Sequence, residues 1–167
     1  MKRCRNLVKS LGSIKRGDKK QRVLAVASGG GHWIELLRLL PSLDGCDVAF
    51  ATTNPGLQRD VGGARFYLIR DATRWNKLGI VRLALRLALV LVRERPDVII
   101  STGAAPGYVA VRLGALLGVR TIWVDSIANV DELSLSGQLA GRHASLWLTQ
   151  WSHLSKPGGP FYSGSVL

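Results

Sequence analysis

The sequence predicts an α/β fold, a Rossmann-like doubly wound parallel sheet, on three observations. Apolar runs of strand length alternate along the chain with stretches of helical periodicity. The first of them, RVLAVAS (22–28), is short and continuous, as a buried strand should be. Two loops rich in glycine and alanine each follow such a run, and sheets of this kind bind ligands at the carboxyl ends of their strands. Strand–helix alternation also implies right-handed crossovers.

The elements follow in order. After the first strand, HWIELLRLLPSL (32–43) has helical spacing and stops near Pro41. CDVAFATT (46–53) and ARFYLI (64–69) read as the next two strands. Trp75 to Glu94 is a long helix. PDVIIST (96–102) is a strand opened by a proline. PGYVAVRLGALLG (106–118) is a helix of small residues ended by Gly118. VRTIWVDS (119–126) is a strand, and ASLWLTQ (144–150) is read as the last one. There is no internal repeat and no long linker.

A chain of 167 residues is one domain by default. A domain of this size buries about 68–70% of its unfolded surface. Apolar residues make up 47% of the sequence, which excludes wholesale disorder. The net charge is +12 and unevenly spread. Nine lysines and arginines in Met1–Arg22 stand against Asp18 alone, a net +8. Residues 1–21 therefore form a basic arm, read either as a solvated tail or as a segment seeking an anionic partner. Leu7, Val8, Leu11 and Ile14 share one helical face, with Lys9, Lys15 and Arg16 elsewhere, which suits an anionic membrane. No continuous apolar stretch follows these charges, so no signal peptide is expected. Cys4 and Cys46 match no metal-ligand spacing and form no disulfide framework, which points to a reducing, cytosolic compartment. Nucleic acid is not an expected partner. The five tryptophans are scattered, the excess charge is terminal and no nucleic-acid motif is present.

In the long helix, Arg82, Arg86 and Arg93 form one narrow polar stripe and nearly everything else is apolar. Its apolar part is shorter than the roughly 20 residues a spanning helix needs. Two readings stand: a core helix with a thin solvent face, or a helix half-sunk in the lipid interface with its arginines on headgroup phosphates.

Ser28, Gly29, Gly30, Gly31 and His32 lie where a first strand turns into a helix. Glycines permit positive φ and close backbone approach, and the helix N-terminus adds unpaired donors and partial positive charge. Together they suit a phosphate or diphosphate; the same loop would also serve as a plain tight turn. SGGGH is neither G-x-G-x-x-G nor a P-loop, so nicotinamide cofactors and NTP hydrolysis are disfavoured. His32, in the first helical turn, is placed to donate to a phosphate or to act as base on a sugar hydroxyl, or simply to cap or pack. Glu35 is read as orienting His32 or complementing the helix dipole. Thr102 and Gly103 begin a second small-residue loop. TRWNK (73–77) supplies donors near the same edge or caps the long helix.

ASGGGHWIELLRL, RWNK, STGAAPG, WVDSIANVDELSLSGQLAGRHASLWLTQW and YSGSVL resemble the bacterial PssD-type exopolysaccharide glycosyltransferase subunits. That group is similar to the membrane-anchoring subunit of the eukaryotic two-part dolichol-diphosphate GlcNAc transferase, and to the N-terminal half of MurG-type GT-B enzymes. The resemblance covers residues 22–167. It implies that these residues form one Rossmann-like half of a GT-B glycosyltransferase, the acceptor half, active only with a PssE-like donor-binding subunit. A UDP-sugar, carrying glucuronate or GlcNAc, would be the donor. A polyprenyl-diphosphate-linked saccharide would be the acceptor, in exopolysaccharide or capsule biosynthesis.

Carried over by position, Ser28, Gly29, Gly30, Gly31, His32, Thr102 and Gly103 would bind the acceptor diphosphate. Asn54, Arg74, Asn76 and Ser126 would line the cleft. Trp151, Tyr162 and Gly164 would meet the partner. The base would be His32 or Asp125, at a position where the eukaryotic relatives tend to have Glu. No metal and no cofactor are expected. The eukaryotic relatives begin with a spanning helix, whereas here only the basic arm precedes Val23. The expected location is therefore cytoplasmic and peripheral, on the inner face of the plasma membrane. The competing expectation is a non-catalytic membrane scaffold that anchors and activates the partner.

Overall fold

The computed structural model describes residues 20–72 and 76–166. Seven strands make one parallel sheet in the order β3-β2-β1-β4-β5-β6-β7. They are β1 (Arg22–Val26), β2 (Asp47–Thr52), β3 (Arg65–Leu68), β4 (Val98–Ser101), β5 (Arg120–Val124), β6 (Leu146–Thr149) and β7 (Phe161–Tyr162). Four α-helices accompany them: α1 (Gly31–Leu39), α2 (Lys77–Glu94), α3 (Ala104–Leu116) and α4 (Leu135–Gly141). Every strand-to-strand pairing is parallel, so each connection returns the chain to the amino edge of the sheet.

The sheet is covered on both faces, and side-chain alternation along β1 divides the core. Val23 and Ala25 join Trp33, Leu36 and Leu39 of α1. Leu24 and Val26 join Leu83, Leu87 and Val90 of α2 and Val109 and Ala110 of α3. A smaller cluster of Val111, Trp123 and Ala140 ties α3, β5 and α4 together. Small residues let α3 lie close to the sheet. A Cβ on Gly107 would come within 1.9 Å of Ser101 Oγ.

Three expectations need correction. ASLWLTQ, read as the last strand, is β6, and β7 extends the sheet beyond it by two residues. The alternation also lapses between β2 and β3, where residues Pro55–Val61 form a 3₁₀ helix rather than an α-helix. The long helix is also not a core helix whose solvent face is its arginine stripe. Leu78, Val81, Leu85, Leu89 and Val92 point outward and are exposed, while Leu83, Leu87, Val90 and Leu91 face the sheet. At its carboxyl end, buried Glu94 accepts hydrogen bonds from Arg65 Nε (2.9 Å) and from the Tyr67 hydroxyl. Burial, and then this bond, push the Tyr67 phenol above its ordinary range. The expected amphipathic pattern of the basic arm, Cys4, Thr73, Arg74, Trp75 and Leu167 lie outside the described residues.

Candidate functional site

β1 and β4 are neighbours whose connections leave in opposite directions, through α1 to β2 and through α3 to β5. A crevice opens at such a switch point, at the carboxyl ends of the strands. The loops at its lips are the two that the sequence singled out.

On the β1 side, the Gly29 N–H donates to Thr53 Oγ1 at 3.3 Å, anchoring the loop to the end of β2. Gly30 stands at φ +68, a left-handed conformation that glycine adopts freely, and its carbonyl receives the N–H groups of Trp33 and Ile34. A Cβ on Gly30 or Gly31 would meet nothing within 4 Å, so the backbone there faces open space. The first N–H groups of α1 have no intrahelical acceptor.

On the β4 side, Thr102 and Gly103 grip His32. The His32 Nδ1–H donates to the Thr102 carbonyl at 3.0 Å, and Thr102 Oγ1 donates back to the His32 carbonyl at 2.6 Å. Gly103, at φ +146, lies against the imidazole, and a Cβ there would approach Cε1 and Nδ1 to 2.4 Å. Ala104 follows at φ +62, uncommon for a residue with a Cβ. Such a position costs about 1–3 kcal/mol and persists where the surroundings enforce it. A carbonyl can only accept, so Nδ1 carries the proton and the neutral ring keeps its lone pair on Nε2. His32 lines a cleft of about 440 Å³ together with Gly31, Ser126, Asn129, Ser134 and Ser136.

Asp125 and Ser126 lie beside it, in different surroundings. Asp125 is 1% exposed. Its Oδ1 accepts from Trp123 Nε1 (3.1 Å) and Ser134 Oγ (2.6 Å), and its Oδ2 from Ser134 N (2.9 Å) and Asn129 Nδ2 (3.3 Å). A carboxylate offers about four lone-pair sites, so these four donors fill them. Glu35, 5% exposed, accepts from Ser126 Oγ (2.8 Å) and the Ile127 N–H (2.9 Å) through Oε1. It therefore ties α1 to the β5–α4 loop, and no hydrogen bond joins it to His32. The same loop is braced from the segment after β6: Trp151 Nε1 donates to the Ile127 carbonyl at 2.8 Å, and His153 Nε2 to that of Val130 at 2.7 Å.

The other expected residues are dispersed. Asn54 and Asn76 are exposed helix caps, accepting from Gly56 N (2.9 Å) and Gly79 N (2.8 Å). Asn54 is close to the glycine loop, its Cβ 3.6 Å from where a Cβ on Gly29 would stand. Trp151 is a half-buried brace, Tyr162 is exposed on β7, and Gly164 takes φ +110 in the closing segment. Asn129, Ser134 and Ser136 line the cleft without having been singled out. A serine before a short helix is a capping signal, and Ser134 Oγ does accept from Gly137 N at 2.9 Å. Among the described residues no group of three His, Cys, Asp or Glu side chains converges as a metal site would require.

The family described as "Oligosaccharide biosynthesis protein Alg14 like" matches residues 71–163. No curated protein is matched. Among solved structures, the MurG of Acinetobacter baumannii superposes with a TM-score of 0.70 at 14% identity, over 87% of this chain and 46% of that one. A UDP-N-acetylglucosamine 2-epimerase from Rickettsia bellii gives 0.66 at 14% identity, over 89% and 46%. The UDP-GlcNAc 2-epimerase of Methanocaldococcus jannaschii, solved with UDP-GlcNAc and UDP, gives 0.60 at 13% identity, over 78% and 40%. These likenesses establish a shared Rossmann-like architecture. The chain spans about two fifths to just under half the length of the structures it matches.

Proposed function

The chain belongs to the Alg14-like family of oligosaccharide biosynthesis proteins, and from that premise we propose that it is the acceptor-binding subunit of a two-chain glycosyltransferase. The enzyme moves glucuronate or GlcNAc from a UDP-sugar to a polyprenyl-diphosphate-linked acceptor in exopolysaccharide or capsule biosynthesis. A PssE-like partner supplies the nucleotide-sugar pocket and meets this chain around Trp151, Tyr162 and Gly164. The complex works in the cytoplasm, peripheral to the inner face of the plasma membrane. Neither a metal nor a cofactor is part of the proposal.

The observation that carries this reading is the orientation of His32. With Nδ1 tied to the Thr102 carbonyl, Nε2 is the basic atom. The acceptor diphosphate lies on the amide groups of the glycine loop, where the helix dipole and free N–H groups favour anions. The acceptor hydroxyl gives its proton to Nε2 as its oxygen bonds to the anomeric carbon of the donor. The bond from that carbon to UDP breaks, and UDP departs with the electron pair. The Thr102 carbonyl, accepting from Nδ1–H, steadies the imidazolium that forms. Asp125, with its acceptor sites filled, holds the neighbouring loop in shape, and Ser126 stands in the cleft beside it.

The test is His32→Ala in the reconstituted pair. A positioned base contributes roughly 10²–10⁴-fold, so kcat for the lipid acceptor should fall by that factor. Affinity for the UDP-sugar, read by calorimetry on the complex, should stay within about threefold, below 1 kcal/mol. Full turnover by the variant would make this chain a scaffold that anchors and activates its partner. Turnover by the wild-type chain alone would refute the division of labour.

A further inference from the structure

The two sides of the cleft that holds His32 differ in hydrogen-bonding polarity. On the lip formed by the glycine loop, the first N–H groups of α1 lack intrahelical acceptors, so this side donates. On the opposite wall the hydrogens are already committed. Ser126 is 7% exposed and lines the cleft. Its hydroxyl donates to Glu35 Oε1 at 2.8 Å, and its Oγ accepts from the Ala128 N–H at 3.3 Å. A hydroxyl has one hydrogen and two lone pairs, so what Ser126 still offers is a lone pair. Asn129 is held in the same sense. A carboxylate only accepts, so the Asn129 amide nitrogen is the atom that faces Asp125 Oδ2, at 3.3 Å. Its carbonyl Oδ1 has no hydrogen-bond partner among the described residues. The backbone N–H groups of Ala128, Asn129 and Ser134 are spent as well, on Ser126 Oγ, the Ser126 carbonyl and Asp125 Oδ2.

Glu35 sets the polarity of Ser126. Its Oε1 takes both the Ser126 hydroxyl and the Ile127 N–H, while its Oε2 is buried with no hydrogen-bond partner among the described residues. With Asp125 it puts two buried carboxylates behind the wall. A ligand group facing this wall meets lone pairs backed by negative charge. Hydroxyl and amide hydrogens suit such a surface, and a further carboxylate is repelled by it.

We propose that this wall recognises the sugar of the lipid-linked acceptor through its hydroxyl hydrogens, and that the sugar it admits is neutral. Ser126 Oγ and Asn129 Oδ1 are the receiving atoms, and Glu35 is the positioning residue that keeps the Ser126 hydrogen out of the cleft. This deepens the acceptor role given above and rests on it. The division of the cleft matches such a ligand: a diphosphate brings only acceptors to the glycine lip, and a hexose ring brings several donors to the wall.

The test is calorimetry on the full chain with three probes built on farnesyl diphosphate: one without sugar, one carrying glucose, and one carrying glucuronate, which differs from glucose only at C6. The glucosyl probe should bind at least roughly tenfold tighter than the glucuronosyl one. The net charge of +12 would by itself favour the more anionic probe, so this order cannot arise from bulk attraction. Ser126→Ala and Asn129→Ala should each weaken the glucosyl probe about 3- to 10-fold and leave the sugar-free probe unchanged. Glu35→Gln keeps an accepting oxygen for Ser126 and Ile127 and should hold the glucosyl affinity within about twofold. Glu35→Ala frees the Ser126 hydrogen to turn into the cleft and should narrow the preference for glucose over glucuronate to below about threefold. A merely structural role for Glu35 would weaken both sugar probes alike and leave their ratio intact, which overturns its part in the proposal. Equal affinity for the two sugars, or no gain from glucose over the sugar-free probe, overturns the proposal and leaves the acceptor reading standing. Failure of the wild-type chain to bind even the sugar-free probe overturns the acceptor reading, and the proposal with it.

Discussion

The loop after β1 has little to hold it, whereas the loop after β5, at the same edge of the sheet, is bound almost throughout. From Ser28 to Gly31 a single firm tether runs to Thr53, and added side-chain atoms at Gly30 or Gly31 would touch nothing. From Asp125 to Ser134 the chain is gripped by Asp125 beneath, Glu35 on one side, and Trp151 and His153 on the other. Bare amides suit a loop whose partners arrive with a ligand. Dense internal bonding suits a loop that forms a wall. Two carboxylates serve the wall, Asp125 with both oxygens and Glu35 through Oε1, and His32, with Nδ1 tied to Thr102, faces the cleft between the two loops.

The comparison breaks most visibly at Asp125. Asp125→Ala leaves four donors of Trp123, Asn129 and Ser134 without their acceptor, that of Trp123 buried and the other three partly buried. Each buried unsatisfied group costs about 1–3 kcal/mol, so a loss of about 3–5 kcal/mol is expected in urea unfolding. The melting temperature should fall by about 6–20 °C. A loss under 1 kcal/mol would mean that the wall does not depend on this hub.

Gly103→Ala tests the seam between the loops. The new Cβ meets the His32 ring and the backbone is strained at φ +146, which together should cost about 1–3 kcal/mol. Activity of the reconstituted pair should fall more than tenfold, because the imidazole must move. Activity retained alongside lost stability would detach the ring's position from catalysis.

Gly31→Ala should produce the smallest stability change and the sharpest contrast. There is room for the methyl, and Ala exceeds Gly in a helix by up to about 1 kcal/mol. The chain should be as stable as the wild type or slightly more so. On the proposed reading the pair should nonetheless use its lipid acceptor less well, since the methyl would stand where the backbone is to approach the diphosphate. Equal acceptor use by the variant would move the diphosphate away from this loop.

Much of this was legible in the sequence, for identifiable reasons. Strand segments such as VLAV and VII are continuous apolar runs because both faces of the sheet are covered. The glycine loop announces itself through residues that only a turn or a ligand requires. α4 was not legible, because LSGQLAG carries two glycines and no apolar stripe. β7 was not, because two residues carry no period. The exposed side of α2 was hidden for the opposite reason: a helix apolar nearly all round does not say which half the sheet covers. The filled coordination of Asp125 was hidden as well, since its partners Trp123 and Ser134 meet it only once the loop has closed.

The pairing of β1 with β4 joins Val23 to Val98 across 75 positions of sequence, and the His32–Thr102 bonds span 70. Contacts between such distant segments form late and slowly, because the intervening loop must close before any bond rewards it. A ribosome adding about 5–20 residues per second would take several seconds to go from Val23 to Gly103. Until then His32 has no carbonyl to orient it, and β1 has only β2 beside it. The histidine is thus oriented only once β4 has been made and paired, although the glycine loop that carries it is among the first segments synthesised.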